Sequence, residues 1–192
     1  MAVLVFGLLI FLGVHSIRIF ADGWRSAQIA RLGEKAWKGL YSIVSLIGFG
    51  LIVWGFGMAR ATPVVLWSPP EWMRHLTALL MLLAIILLVA AYIPGNRIKA
   101  KIGHPMLAGT KTWALAHLLA NGNLVDVVLF GAFLIWSITA FATSRRRDRA
   151  AGVSYPALGI GRDLLTLAIG IVAWALFARY AHLWLFGVSP FA

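Results

Sequence analysis

The sequence predicts an all-α, multi-pass transmembrane bundle of about six helices, in a single domain over residues 1–192. Three observations predict it. The chain is 61% hydrophobic and only 12% charged, about half the charged share that a water-facing surface requires. Its apolar residues fall in runs of the length that crosses a hydrocarbon core, about 20 helical residues at 1.5 Å each. Its 17 Lys and Arg, against six Asp and Glu, lie mostly between those runs. These figures, with a mean hydropathy of +0.89, exclude a soluble globular domain, and they exclude disorder, which needs low hydrophobicity. A net charge of +11 in a soluble protein would suggest a nucleic-acid partner. Placed between membrane segments, it reads as a topology signal and a contact for lipid headgroups, so membrane lipids and no nucleic acid are the expected partners. The absence of cysteine removes disulfides and thiolate metal sites.

Taken in order, the first helix covers 2–21. It lacks the basic leader of a signal peptide and carries His15 and Arg18 where a cleavage region would lie, so it reads as a retained span. The second covers 40–58 and the third 75–93. The stretch 111–143 is too long for one span and is broken by Asn121-Gly122-Asn123, a turn-forming tripeptide. Charge decides how to divide it. Basic residues cluster at 18–38, at 97–111 and at 145–162, and only Arg60, Arg74 and Arg179 lie elsewhere. A hairpin at the tripeptide puts all three clusters, 14 of the 17 positive residues, on the cytoplasmic side, as the positive-inside rule demands. A short fourth helix then runs over 106–120, with Gly122 as its predicted C-terminal cap, and Asn123 caps the fifth. The last helix covers 164–186, interrupted by Arg179 and His182. Six crossings leave both termini periplasmic if the host is the inner (cytoplasmic) membrane of a bacterium. Tryptophans 24, 37, 67, 72, 113 and 184 near the predicted ends suit an interfacial aromatic belt.

An ionisable side chain inside a membrane is costly, so each is a functional candidate. His15 lies about 10 Å of helix from Asp22 at the cytoplasmic end, with Arg18 one turn later on its face. His117 lies about 16 Å from the same edge. The two depths differ by about 7 Å, which helix tilt can absorb, so the imidazoles are expected to face each other inside the bundle. Two neutral imidazoles with no thiolate or carboxylate beside them match the axial ligands of a b-type haem, and they also permit an incomplete zinc or copper site. His104, in Gly103-His104-Pro105 at the start of the fourth helix, lies among Arg97, Lys99 and Lys101. That neighbourhood suits haem propionates or phosphates. His75 and His182 fall at or near the outer interface and read as packing residues. Gly159-Ile160-Gly161 lacks a preceding strand and a third glycine, so it carries no nucleotide signal.

Together, His15-Ser16 with Arg18, Gly103-His104-Pro105, and Trp113-Ala114-Leu115-Ala116-His117 closed by Asn121-Gly122 resemble the NnrU family of multi-pass membrane proteins, over most of the chain. The resemblance implies a link to nitrite and nitric oxide reduction in denitrification. It also implies kinship with the 15-cis-ζ-carotene isomerase, a haem b membrane enzyme whose ligand histidines fall on His15 and His117. Ala114 stands where that isomerase has a cysteine, so no thiolate ligand is implied here.

The expected function is therefore that of an NnrU-like membrane protein holding haem b through His15 and His117, with Arg18 and His104 as supporting or propionate partners. It would act in electron transfer with a redox partner, or in isomerisation of a lipophilic polyene substrate. One alternative is a membrane methyltransferase that uses S-adenosylmethionine on a lipid or prenylated substrate, with His104 in its cofactor pocket. Another is a cofactor-free accessory subunit whose histidines bridge helices.

Overall fold

The first apolar run folds as α1 (Ala2–Phe20), and single non-helical residues, Ala21 and Gly33, separate it from a short polar helix, α2 (Asp22–Leu32), and that from the long α3 (Glu34–Arg60). This computed structural model describes residues 1–191. After an extended connection come α4 (Met73–Tyr92), the six-residue α5 (Arg97–Ile102), α6 (Pro105–Ala120), α7 (Leu124–Ala150) and α8 (Ile160–Leu176). A π-helical segment, Phe177–Ala181, joins α8 to α9 (His182–Phe186). Five helical stretches are long and apolar enough to cross a membrane: α1, α3, α4, α7 and the continuous stretch Ile160–Phe186. The sixth expected pass, α6, has 16 residues and a length of about 24 Å. The helices that sequence patterning left inside loops, α2 and α5, are short and lie in the basic segments. The π segment falls where Arg179 interrupts the last apolar run, the kind of position where an inserted residue widens one turn.

The tripeptide is a helical hairpin, but its chemistry differs from the expectation in two details. Gly122 is not a left-handed cap, since Asn121 ends α6 in an extended conformation and Gly122 has no positive φ. Its Cβ position is instead taken by the carbonyl of Trp67, and its own carbonyl accepts from Leu66 N at 2.8 Å and Trp67 N at 3.2 Å. Leu124 N donates to Val64 O at 2.8 Å, so Val65 and Asn123 form an isolated antiparallel bridge. Asn123 stands at the N-cap position of α7 but makes no side-chain cap; its amide donates to Asp126 Oδ2 at 3.0 Å. The hairpin turn is thereby latched to the α3–α4 connection. Since α6 begins beside α5, it runs from one end of the bundle to the other.

Packing follows the small residues. In lipid, helix association rests on close backbone approach. Gly7, Gly48 and Gly55 bring α1 and α3 together closely enough that a Cβ at Gly55 would overlap the backbone of Leu4. Helix α4 packs on α6 and α8, and α6 on α7; α7 also packs on α1, whereas the backbones of α1 and α6 do not come close among the described residues. The buried core of Leu4, Leu8, Ile52, Ala114, Val125, Leu129 and Phe130 sits among α1, α3, α6 and α7.

Polar links collect all three basic clusters at one end. Arg147 Nη1 donates to Arg18 O at 3.5 Å, Arg97 pairs with Asp163 at 3.3 Å, and His104 meets Asp148 at 2.8 Å. Asn96, fully buried there, donates to Ala90 O at 2.8 Å and accepts from Lys99 N at 2.7 Å, tying the end of α4 to the start of α5.

Of the expected aromatic belt, Trp24, Trp67, Trp72 and Trp184 are exposed near helix ends. Trp37 packs on Trp24, with centroids 5.7 Å apart. Trp113 does not belong to the belt. It packs against the core beside Phe130 and Phe133.

Candidate functional site

Both intramembrane histidines are held by their own helices. His15 Nδ1 lies 2.6 Å from Phe11 O, and His117 Nδ1 lies 3.0 Å from Trp113 O, each one turn earlier. A carbonyl only accepts, so each Nδ1 carries the proton and each Nε2 presents a lone pair. Neither Nε2 has a protein hydrogen-bond partner among the described residues.

Around them lies a continuous layer of rings. Phe11 lies tilted against His15 at 4.2 Å and reaches Phe133 at 5.9 Å. Phe133 meets Trp113 edge-on at 5.4 Å, and Trp113 lies 5.5 Å from His117. Phe130 stacks on the other end at 4.6 Å from His117. Tyr41 and Trp136 present edges to His15 at 5.3 and 6.0 Å. The structure therefore brings His15 and His117 into one aromatic layer without bringing them into contact, because α7 stands between α1 and α6 and contributes Phe133. Counted along the helices, His15 is about 8 Å from the basic end of α1 and His117 about 18 Å from the basic end of α6.

The donor chemistry fits a b-type haem: two neutral imidazoles, each with an orienting hydrogen bond behind it and surrounded by rings. The space does not fit as packed, because side chains fill the gap between the imidazoles. No group of three or more His, Cys, Asp or Glu forms a metal site among the described residues, so zinc or copper would find an incomplete ligand set.

The supporting residues lie elsewhere. Arg18 is exposed, and its carbonyl, not its guanidinium, meets Arg147. His104 is the N-cap residue of α6 but makes no cap bond. Its Nε2 lies 2.8 Å from Asp148 Oδ2, placed for an ion pair though out of line for a hydrogen bond, and its ring meets Tyr155 edge-on at 6.1 Å. Tyr155 donates to the same Asp148 oxygen at 3.0 Å. Loss of solvent and the adjoining carboxylate raise the Tyr155 phenol above its ordinary pKa. His104, Asp148 and Tyr155 thus form a separate polar cluster at the basic end, joining α6, α7 and the following loop. Asp148 was visible as the one acid within Arg145–Arg149; its partners were not. His75 is exposed, and His182 Nδ1 lies 2.7 Å from Val188 O, both in keeping with interfacial packing.

The model of the family described as NnrU protein matches residues 3–190. No curated protein and no solved structure matches the chain. With the family pattern running through every span from α1 to α9, and with both histidine patches inside it, the chain belongs to the NnrU family.

Proposed function

We propose that this NnrU-family protein binds haem b through His15 and His117 in the inner membrane of a bacterium. Its activity would be electron transfer linked to nitrite and nitric oxide metabolism, or isomerisation of a lipophilic polyene. The observation that carries the reading is the shared state of the two imidazoles: each spends Nδ1 on a helix carbonyl and leaves Nε2 unspent within one apolar layer. Neither Nε2 is sealed off from its surroundings, so each lone pair stays within reach of a ligand. Bound haem would supply one-electron chemistry. The chain itself orients the two rings, excludes water with Phe11, Trp113 and Phe133, and provides no thiolate, Ala114 being fully buried. Ligation by both histidines at once requires Phe133 and Trp113 to turn out of the gap.

The filled gap favours a second reading, a cofactor-free accessory subunit in which the histidines are ring-packing residues. The visible spectrum of detergent-purified protein from haem-replete cells separates the two. Haem binding gives a Soret band that His15→Ala or His117→Ala weakens at least severalfold. A colourless protein that folds normally assigns the accessory role.

A further inference from the structure

A cleft of about 440 Å³ runs between α1 and α7, touching the histidine layer only through Trp136. Leu9, Gly13 and Ser16 form one wall, and Ala132, Ile135 and Thr139 the other. The lining is almost wholly apolar, and the volume is in the range of small-ligand sites. The Thr139 hydroxyl is already spent on Ile135 O at 2.9 Å, so it adds little polarity.

The cleft points toward the basic end. Arg146 lies seven residues beyond Thr139, two turns along the same face and about 10 Å farther. Arg147 closes that end by donating to Arg18 O across the two helices. None of Arg18, Arg146 and Arg147 pairs with a carboxylate among the described residues. The acids nearest in sequence are committed elsewhere: Asp22 faces Arg25 at 3.5 Å, and Asp148 is held by His104 and Tyr155. An apolar cleft thus ends near the guanidiniums of Arg146 and Arg147, neither paired with a carboxylate among the described residues, and beside the backbone of Arg18.

We infer that this cleft seats an acyl chain of one anionic phospholipid, with its phosphate against Arg146, Arg147 and the Arg18 side of α1. The chemistry needs both halves. Guanidinium pairs with phosphate in a planar, charge-assisted geometry, and a hydrocarbon chain is the ligand that gains from an apolar wall at bilayer depth. The site is independent of haem, since neither His15 nor His117 lines the cleft.

The test is native mass spectrometry of the full-length, detergent-purified protein titrated with phosphatidylglycerol or with phosphatidylcholine of the same chains. Phosphatidylglycerol is expected to be retained preferentially. The double substitution R146Q/R147Q should cut that preference about twenty-five-fold, at about a factor of five for each arginine. Gly13→Leu fills the cleft without altering charge, and nothing lies within 4 Å of its Cβ position, so the fold tolerates it. It should lower retention of phosphatidylglycerol at least tenfold with an unchanged melting temperature. Equal retention of the two lipids overturns the site, and so does wild-type retention by either variant. Displacement by inorganic phosphate at concentrations equal to the lipid would also overturn it, leaving an anion site with no chain.

Discussion

At the scale of single residues, each intramembrane imidazole holds its Nδ1 proton on the carbonyl one turn earlier and keeps Nε2 free. His15 and His117 were legible because an imidazole inside an apolar run has no cheap explanation. The ring layer around them was not legible, because Phe11, Phe133 and Trp136 are unremarkable among apolar residues until helices are docked. Trp113 was misread for the same reason: it lies near the expected end of its helix, yet the turn faces inward. Arg18 was grouped with the histidines by its place on the face of His15 and His104 by its basic neighbours, whereas the fold places His104 with Asp148 and Tyr155. That cluster has a pH signature. The Tyr155 phenol has a raised pKa in the fold, so its contribution is fully present below the unfolded value, about 10, and is lost as pH rises through the folded one. Thermal melts of Tyr155→Phe should therefore lack part of the alkaline loss that the parent shows above pH about 10. Identical alkaline slopes would dismiss the Asp148 contact as a stabilising element.

At the scale of elements, hydropathy gave the spans and charge gave the hairpin. The short helices α2 and α5 escaped because six to eleven residues of mixed polarity carry too little periodicity to stand out from a loop. The contact between α1 and α3 is the most demanding of the helix pairs. A side chain at Gly55 meets the backbone of α1, which has no rotamer to yield. Gly55→Leu should cost about 1–3 kcal/mol or more and lower the melting temperature in detergent, whereas Gly57→Leu, facing open space, should leave it unchanged. Equal effects from the two would show that the pair is not held by close approach.

At the scale of the whole molecule, the basic end is joined by contacts between residues more than a hundred positions apart, such as Arg147 with Arg18. The charge clusters foretold that they would share one end; the partners making the joins needed the fold. The positive-inside rule predicts that this end faces the cytoplasm and that both termini lie outside. A C-terminal alkaline phosphatase fusion should accordingly be active in cells, and a C-terminal green fluorescent protein fusion dark. A bright fluorescent fusion would reverse the orientation.

The shortness of α6 has its own consequence. A pass of about 24 Å in a hydrocarbon slab of about 30 Å obliges the bilayer to thin where the latch at Gly122 holds the hairpin turn. His117 sits three residues from that end of α6. A dimple there would bring bulk solvent nearer to this imidazole than its place in the middle of the chain implies, and it would make the two histidines unequal in their exchange with the outside.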